Sequence, residues 1–249
     1  MKLIFTHEHA DFDAIASLAA AQLIYPDYIA ARPIQVNRNV AVFLKEYRNE
    51  FPFQLIRQLP NEKAARILLV DTHRLFSQGF VGADTEISVV DHHLPGTSLS
   101  PDWDCRFEAL GACTSILIRE LRRREIKLRQ EAANLLLLGI YEDTGNLTYG
   151  STTVEDMRAA TWLVEQGAAI AVITGNPGTG VTIEAIERAT RTIREATQDR
   201  LVIFSGRIHA AASGLPTRGA RAMLELITDQ DNVIRVPFRL SLPPDAVAA

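Results

Sequence analysis

Three short apolar runs, Leu3-Ile4-Phe5-Thr6, Ile67-Leu68-Leu69-Val70 and Ile87-Ser88-Val89-Val90, are each bounded by polar residues. Runs this short and continuous predict strands buried on both faces, as in a parallel sheet. Pro33–Val36 is a weaker strand candidate. Helical spacing of apolar positions runs through Ala14–Leu23, Val40–Tyr47, Ala112–Arg124 and Gln130–Tyr141. A further helix, Val154–Glu165, follows Ser151-Thr152-Thr153 and is expected to stop at Gly167 as its C-cap. Strands alternating with helices predict an α/β fold, a mostly parallel sheet flanked by helices.

The texture changes near residue 172, where Gly175-Asn176-Pro177-Gly178-Thr179-Gly180 breaks the pattern. Beyond it, helices at Ile183–Thr197 and Arg218–Ile227 and strands at Leu201–Ser205 and Val233–Leu240 are expected. The chain therefore reads as a domain over residues 1–172 and a small C-terminal α/β appendage over 173–249. Roughly 70 residues bury little core of their own, so the appendage is expected to dock on the first domain or to be incomplete.

Composition changes the picture only in part. The 249 residues are 47% hydrophobic and 22% charged, as in globular proteins. A net charge of −4 argues against sequence-blind binding to a nucleic-acid backbone. Cys105 and Cys113 fit no zinc spacing and no disulfide framework, which suits a reducing cytoplasm. The apolar run Ala14–Ile24 is too short to span a membrane, and no leader peptide is expected. The histidines say more. Five of the six fall in three clusters: His7 with His9, His73, and His92 with His93.

Each predicted strand runs into residues able to bind a metal. The first leads to His7, Asp11 and Asp13, the second to Asp71, the third to Asp91, His92 and His93. The carboxyl ends of parallel strands share one crevice. A fourth candidate, Asp143, stands where a long apolar helix meets the polar turn Glu142-Asp143-Thr144-Gly145. Five aspartates drawn together repel unless a cation lies among them. Carboxylate and imidazole without thiolate suit Mn²⁺ or a similar first-row ion, and the number of ligands suits two ions sharing a carboxylate.

These residues resemble the motifs of the DHH phosphoesterases. His7-Glu8-His9-Ala10-Asp11-Phe12-Asp13-Ala14 is similar to the first motif, Asp71 to the second, Asp91-His92-His93 to the third and Asp143 to the fourth, over residues 1 to about 170. The stretches Thr6–Ala14 and Gly139–Tyr149 look most like the DHH module of bacterial CBS-domain tRNA nucleotidyltransferase/poly(A) polymerase-like proteins. Polymerase activity is not implied, since the CBS pair and the polymerase head are missing from this sequence. The resemblance implies a two-metal site: His7 and Asp11 on one Mn²⁺, Asp13, His92 and Asp143 on the other, and Asp71 bridging, with Mg²⁺ or Co²⁺ as alternative ions. Catalytic roles fall to Asp91, His92 and His93. His93 would contact substrate phosphate and Asp91 would orient the histidines. The implied activity is hydrolysis of a phosphoester in a phosphorylated small molecule, nucleotide or short oligonucleotide by direct attack of water. The alternative is a non-catalytic metal- or nucleotide-binding regulatory module. No membrane partner is expected, and oligomeric state is open, a homodimer included.

Several features compete with this reading. His7-Glu8-His9-Ala10-Asp11 also resembles the HxHxD opening of metallo-β-lactamase-type hydrolases, but Phe12 stands where a further histidine is needed. Gly175–Thr182 has the look of a P-loop, with Val181 in place of its lysine. The basic run Arg119, Arg122, Arg123, Arg124, Lys127 and Arg129, interleaved with Glu120 and Glu125, reads as a solvated helix face or as a guide for an anionic substrate. Many DHH enzymes grip substrate with a Gly-Gly-Gly-His loop. Gly206-Arg207-Ile208-His209 keeps only its outer spacing, or else Val233–Leu240 is the strand before it.

Overall fold

The computed structural model describes residues 1–95, 99–168, 171–174 and 202–205. The chain divides into two units, Met1–Ala168 and Ala169–Ala249. The first holds a six-stranded parallel sheet: β1 (Lys2–Phe5), β2 (Ile29–Arg32), β3 (Gln54–Leu55), β4 (Arg66–Val70), β5 (Glu86–Asp91) and β6 (Asp104–Phe107). Its helices are α1 (Phe12–Ile24), α2 (Arg38–Glu46), α3 (Cys113–Arg123), α4 (Gln130–Thr144) and α5 (Val154–Glu165). In the second unit β7 (Ala171–Thr174) pairs in parallel with β8 (Val202–Ser205). Among the described residues no helix is long and apolar enough to cross a membrane.

Strand order is β3-β2-β1-β4-β5-β6, so the chain builds outward one way from β1 and then the other way from β4. The β1–β4 boundary is thus the switch point at which open α/β sheets form their crevice. Register is continuous across it, with Phe5 beside Leu69 and Leu69 beside Val89. Leu3, Phe5, Ile67, Leu69, Ile87 and Val89 line one face of the sheet in a single core cluster. Alternation puts Ile4, Leu68 and Val70 on the opposite face, and all three are buried as well.

Helix α1 is buried almost all round because its residues are small or apolar, and it packs against β1, β4, α3 and α4. Asp11 caps it, its Oδ1 accepting the Ala14 N–H at 3.0 Å. A reciprocal Thr153–Asp156 capping box opens α5. Gly167 follows its C-terminus at a φ of +92°, as the expected stop requires.

The second strand lies at Ile29–Arg32, not at Pro33–Val36. Pro33 has no N–H for a ladder, and Val36 makes only an isolated bridge to Ala10. Strands β3 and β6 escape sequence reading because they are outer strands, short and only partly buried. Strand β8 matches the expected Leu201–Ser205 to within a residue. The expected helices at 183–197 and 218–227, the strand at 233–240, the P-loop-like segment and the Gly206–His209 segment lie outside the described residues.

Candidate metal centre

The site is built at the carboxyl ends of β1, β4 and β5. His7 follows β1, and its Nδ1 lies 2.7 Å from the Glu8 carbonyl. A carbonyl only accepts, so Nδ1 carries the proton and Nε2 faces the carboxylates, 3.3 Å from Asp71 Oδ2 and 3.8 Å from Asp11 Oδ1. Asp71 follows β4 in a left-handed conformation, φ +55°, its N–H donating to Val90 across the sheet at 3.0 Å. A non-glycine residue pays strain there, and such strain is typical of functional sites.

His92 is fixed in the same way. Its Nδ1 donates to the Leu110 carbonyl at 3.1 Å. Nε2 then stands 3.3 Å from Asp143 Oδ2, 3.4 Å from Asp71 Oδ1 and 3.8 Å from Asp13 Oδ2. Both His92 Nε2 and Asp71 Oδ1 are buried without a hydrogen-bond partner. Orphaned buried acceptors facing one another are what a cation satisfies. Two groups, His7–Asp11–Asp71 and Asp13–His92–Asp143, each bring atoms able to bind a metal within 4.8 Å of one another. Asp71 touches both, one oxygen toward His7 and the other toward His92. Asp71 with Asp91, His92 and His93 forms a third such group. No group found among the described residues includes the exposed His9, so the HxHxD reading has no support here.

Asp91 ends β5, fully buried, between two imidazoles. Its Oδ2 accepts from His73 Nδ1 and its Oδ1 from His93 Nδ1, each at 2.8 Å, and Oδ1 also accepts the His93 N–H at 3.0 Å. Sequence position groups His73 with the clustered histidines but gives it no role, and this contact supplies one. His93 leaves 57% of its side chain exposed. Asp13 does more than face the cluster. Its Oδ2 accepts the Cys113 N–H at 2.7 Å and its Oδ1 the Thr114 N–H at 2.9 Å. It therefore caps α3, whose own N-cap, Ala112, has no side chain for the task. Glu142 also stood aside in the sequence. It accepts the Phe12 N–H at 2.6 Å and the Asn39 Nδ2–H at 3.5 Å.

The electrostatics of these residues are frustrated. Burial opposes charge on His7, but the Asp71 hydrogen bond and neighbouring carboxylates hold its pKa up to about 9. Burial works against His92 too, yet Asp143, Asp71 and Asp13 raise it to about 11. Burial, then the charges of Asp71 and Asp143, pushes Asp13 well above the usual carboxylate range. Burial lifts Glu142 to about 7. Asp91 goes the other way: its burial is outweighed by hydrogen bonds from His93 and His73. Divalent cations would take the place of the protons the cluster otherwise holds.

The basic run is mostly paired on its own surface. Arg119 bonds Glu108, Arg123 and Arg124 bond Glu120, Arg122 approaches Glu155, and Arg129 bonds Glu50. That is a solvated, self-compensated face.

Residues 2–140 match the DHH family, N-terminal domain, and residues 140–245 match a domain of unknown function, DUF7916. The A-adding tRNA nucleotidyltransferase of Geobacter sulfurreducens is 35% identical over 75% of this chain and 22% of its own length. A probable manganese-dependent inorganic pyrophosphatase of Listeria innocua is 29% identical over 64% of this chain and 53% of its own. The chain thus spans about a fifth to about half the length of these relatives. Among solved structures, a Methanococcus jannaschii protein described as a "putative family II inorganic pyrophosphatase" superposes with a TM-score of 0.53. That likeness covers 84% of this chain and 83% of that one at 18% identity, and so concerns the fold.

Proposed function

This chain belongs to the DHH family, and from that premise we propose that it hydrolyses a phosphoester of a nucleotide or short oligonucleotide with two divalent ions, Mn²⁺ first among them. The observation that carries the reading is Asp71, set between two ligand groups with one oxygen toward each. His7 and Asp11 would hold one ion, Asp13, His92 and Asp143 the other, and Asp71 both. Such a pair supplies an acidified water at neutral pH and neutralises charge on phosphoryl oxygens. The residues do the rest. The carbonyls of Glu8 and Leu110 fix the tautomers of His7 and His92, presenting Nε2 to the ions. Asp91 holds His93 by Nδ1 and backbone N–H, leaving the exposed remainder of the ring to meet a phosphoryl oxygen. Residues 1–172 would be the ion-binding domain and 173–249 the accessory domain.

The test measures phosphate or nucleotide release with Mn²⁺ from a dinucleotide, a cyclic dinucleotide, a 3′,5′-bisphosphate nucleotide, pyrophosphate and polyphosphate. Pyrophosphate belongs on the panel because relatives are described as manganese-dependent pyrophosphatases. Asp71→Ala should lose both ions, and two tightly bound ions in that variant would sink the assignment. A second reading, a non-catalytic metal- or nucleotide-binding regulatory module, is favoured by Gly206-Arg207-Ile208-His209, which keeps only the outer spacing of the substrate-gripping Gly-Gly-Gly-His loop. Bound ions with silence across the whole panel would support it.

A further inference from the structure

The group Asp13–His92–Asp143 draws its two carboxylates from different helices, so their spacing depends on what holds those helices together. Asp13 lies in the first turn of α1 and Asp143 in the last turn of α4, while Asp11, the cap of α1, belongs to the other group. Glu142, the neighbour of Asp143, is the side chain from that turn which grips α1. Its Oε2 accepts the N–H of Phe12, the first residue of α1, at 2.6 Å. Its Oε1 accepts from Asn39 in the first turn of α2 at 3.5 Å. Successive helix residues point about 100° apart, so one turn can present Asp143 to His92 and Glu142 to α1. The Phe12 N–H has no intrahelical partner of its own, and Asp11 already serves the Ala14 N–H.

We infer that Glu142 is a positioning residue that sets the distance between Asp13 and Asp143, the two carboxylates of one ion site, by clasping the N-terminus of α1 to the C-terminal turn of α4. The inference rests on the two-ion reading above. It attributes the effect to the reach of the side chain, not to its charge. Glutamine keeps the reach: its Oε1 accepts the Phe12 N–H, and the Asn39 amide turns to offer its oxygen to the glutamine Nε2. Aspartate keeps the charge but is about 1.5 Å shorter.

The experiment loads the full chain and its E142Q, E142D and E142A variants with Mn²⁺ alone. Calorimetry gives the stepwise affinities, and electron paramagnetic resonance gives the spin coupling of the pair. E142Q should retain the coupled spectrum. E142D and E142A should show weakened coupling and at least a roughly tenfold loss in the weaker binding step, as outer-layer partners of metal ligands usually do. T153A, which removes the α5 cap, controls for general loss of stability and should leave the coupling unchanged. If E142A does not fold, the order of E142Q and E142D still decides. E142D like wild type with E142Q impaired overturns the inference, as do three variants with an unaltered pair. A wild-type chain that binds fewer than two Mn²⁺ overturns the two-ion reading, and the inference with it.

Discussion

Gly139 lies midway along α4, one turn before Asp143, where α4 crosses α1. A Cβ at this position would stand 2.7 Å from Ala16 Cβ, 2.8 Å from Thr114 Oγ1 and 3.2 Å from Asp13 Cα. The threonine can rotate, but Ala16 Cβ and Asp13 Cα cannot move without their helix. Carbon atoms pack best at about 3.5–4.0 Å, so Gly139→Ala must part the helices by about 1 Å. Overpacking of this kind costs about 1–3 kcal/mol, and backbone neighbours put it in the upper half of that range. Alanine returns up to about 1 kcal/mol of helix propensity. The net expectation is a loss of about 1–2 kcal/mol. The same movement separates Asp13 from Asp143, which approach His92 Nε2 at 3.8 and 3.3 Å. Ligand distances tolerate only about 0.2 Å, so one Mn²⁺ should weaken by about 10–100-fold, the range for disturbed ligand supports. Urea unfolding followed by tryptophan fluorescence reads the first effect, since Trp103 and Trp162 both lie in the first unit. Calorimetry with Mn²⁺ reads the second. Gly150→Ala, whose Cβ would meet nothing within 4 Å, is the control. A G139A protein as stable as wild type with both ions at full affinity would refute the packing argument.

Two further outcomes follow from the surface and the core. Hydrogen bonds from Arg123 and Arg124 hold the Glu120 carboxylate down to about 2, so its small stabilising contribution is complete above about 4.3, the unfolded value, and is lost as pH falls toward 2. Glu120→Gln should flatten acid unfolding over that window in a pH series of melting temperatures, and an unchanged profile would count against the pairing. Cys113 is buried, with its thiol donating to the Val90 carbonyl and its pKa pushed up by burial, whereas Cys105 is partly exposed. A colorimetric thiol reagent should therefore titrate one cysteine in the native protein and two in urea. Prompt reaction of both in native conditions would contradict the placement of Cys113.

Much of the centre was readable in one dimension. Hydrophobic runs locate β1, β4 and β5, and the rule that parallel strands share a crevice at their carboxyl ends brings His7, Asp71 and His92 together from chain order alone. Such inference works because burial on both faces of a strand writes a continuous apolar run into the chain, and because strand polarity alone decides which end the next residues occupy. The motif likeness to the DHH family carried the same residues further, to two ions and a shared aspartate. Outer strands were harder, since β3 and β6 bury too little to leave a periodic signature.

What the chain order could not contain is contact across it. Glu142 and Phe12 are 130 residues apart, and Asp13 and Thr114 are 101 apart. In the sequence Glu142 is one polar residue at a helix end and Asp13 one ligand candidate. Only the packing of α1 against α3 and α4 makes the first a clasp and the second both a helix cap and a cluster member. His73 likewise waits on the fold, because a partner for its Nδ1 exists only once β4 and β5 lie side by side and bring Asp91, at the end of β5, beside the turn that follows β4. Local periodicity and strand direction were enough for the central strands, the helices and the chemical types gathered at their ends. The tertiary structure alone decided the spacing and protonation of the site, since these depend on ångström distances between helices and on which buried groups find partners.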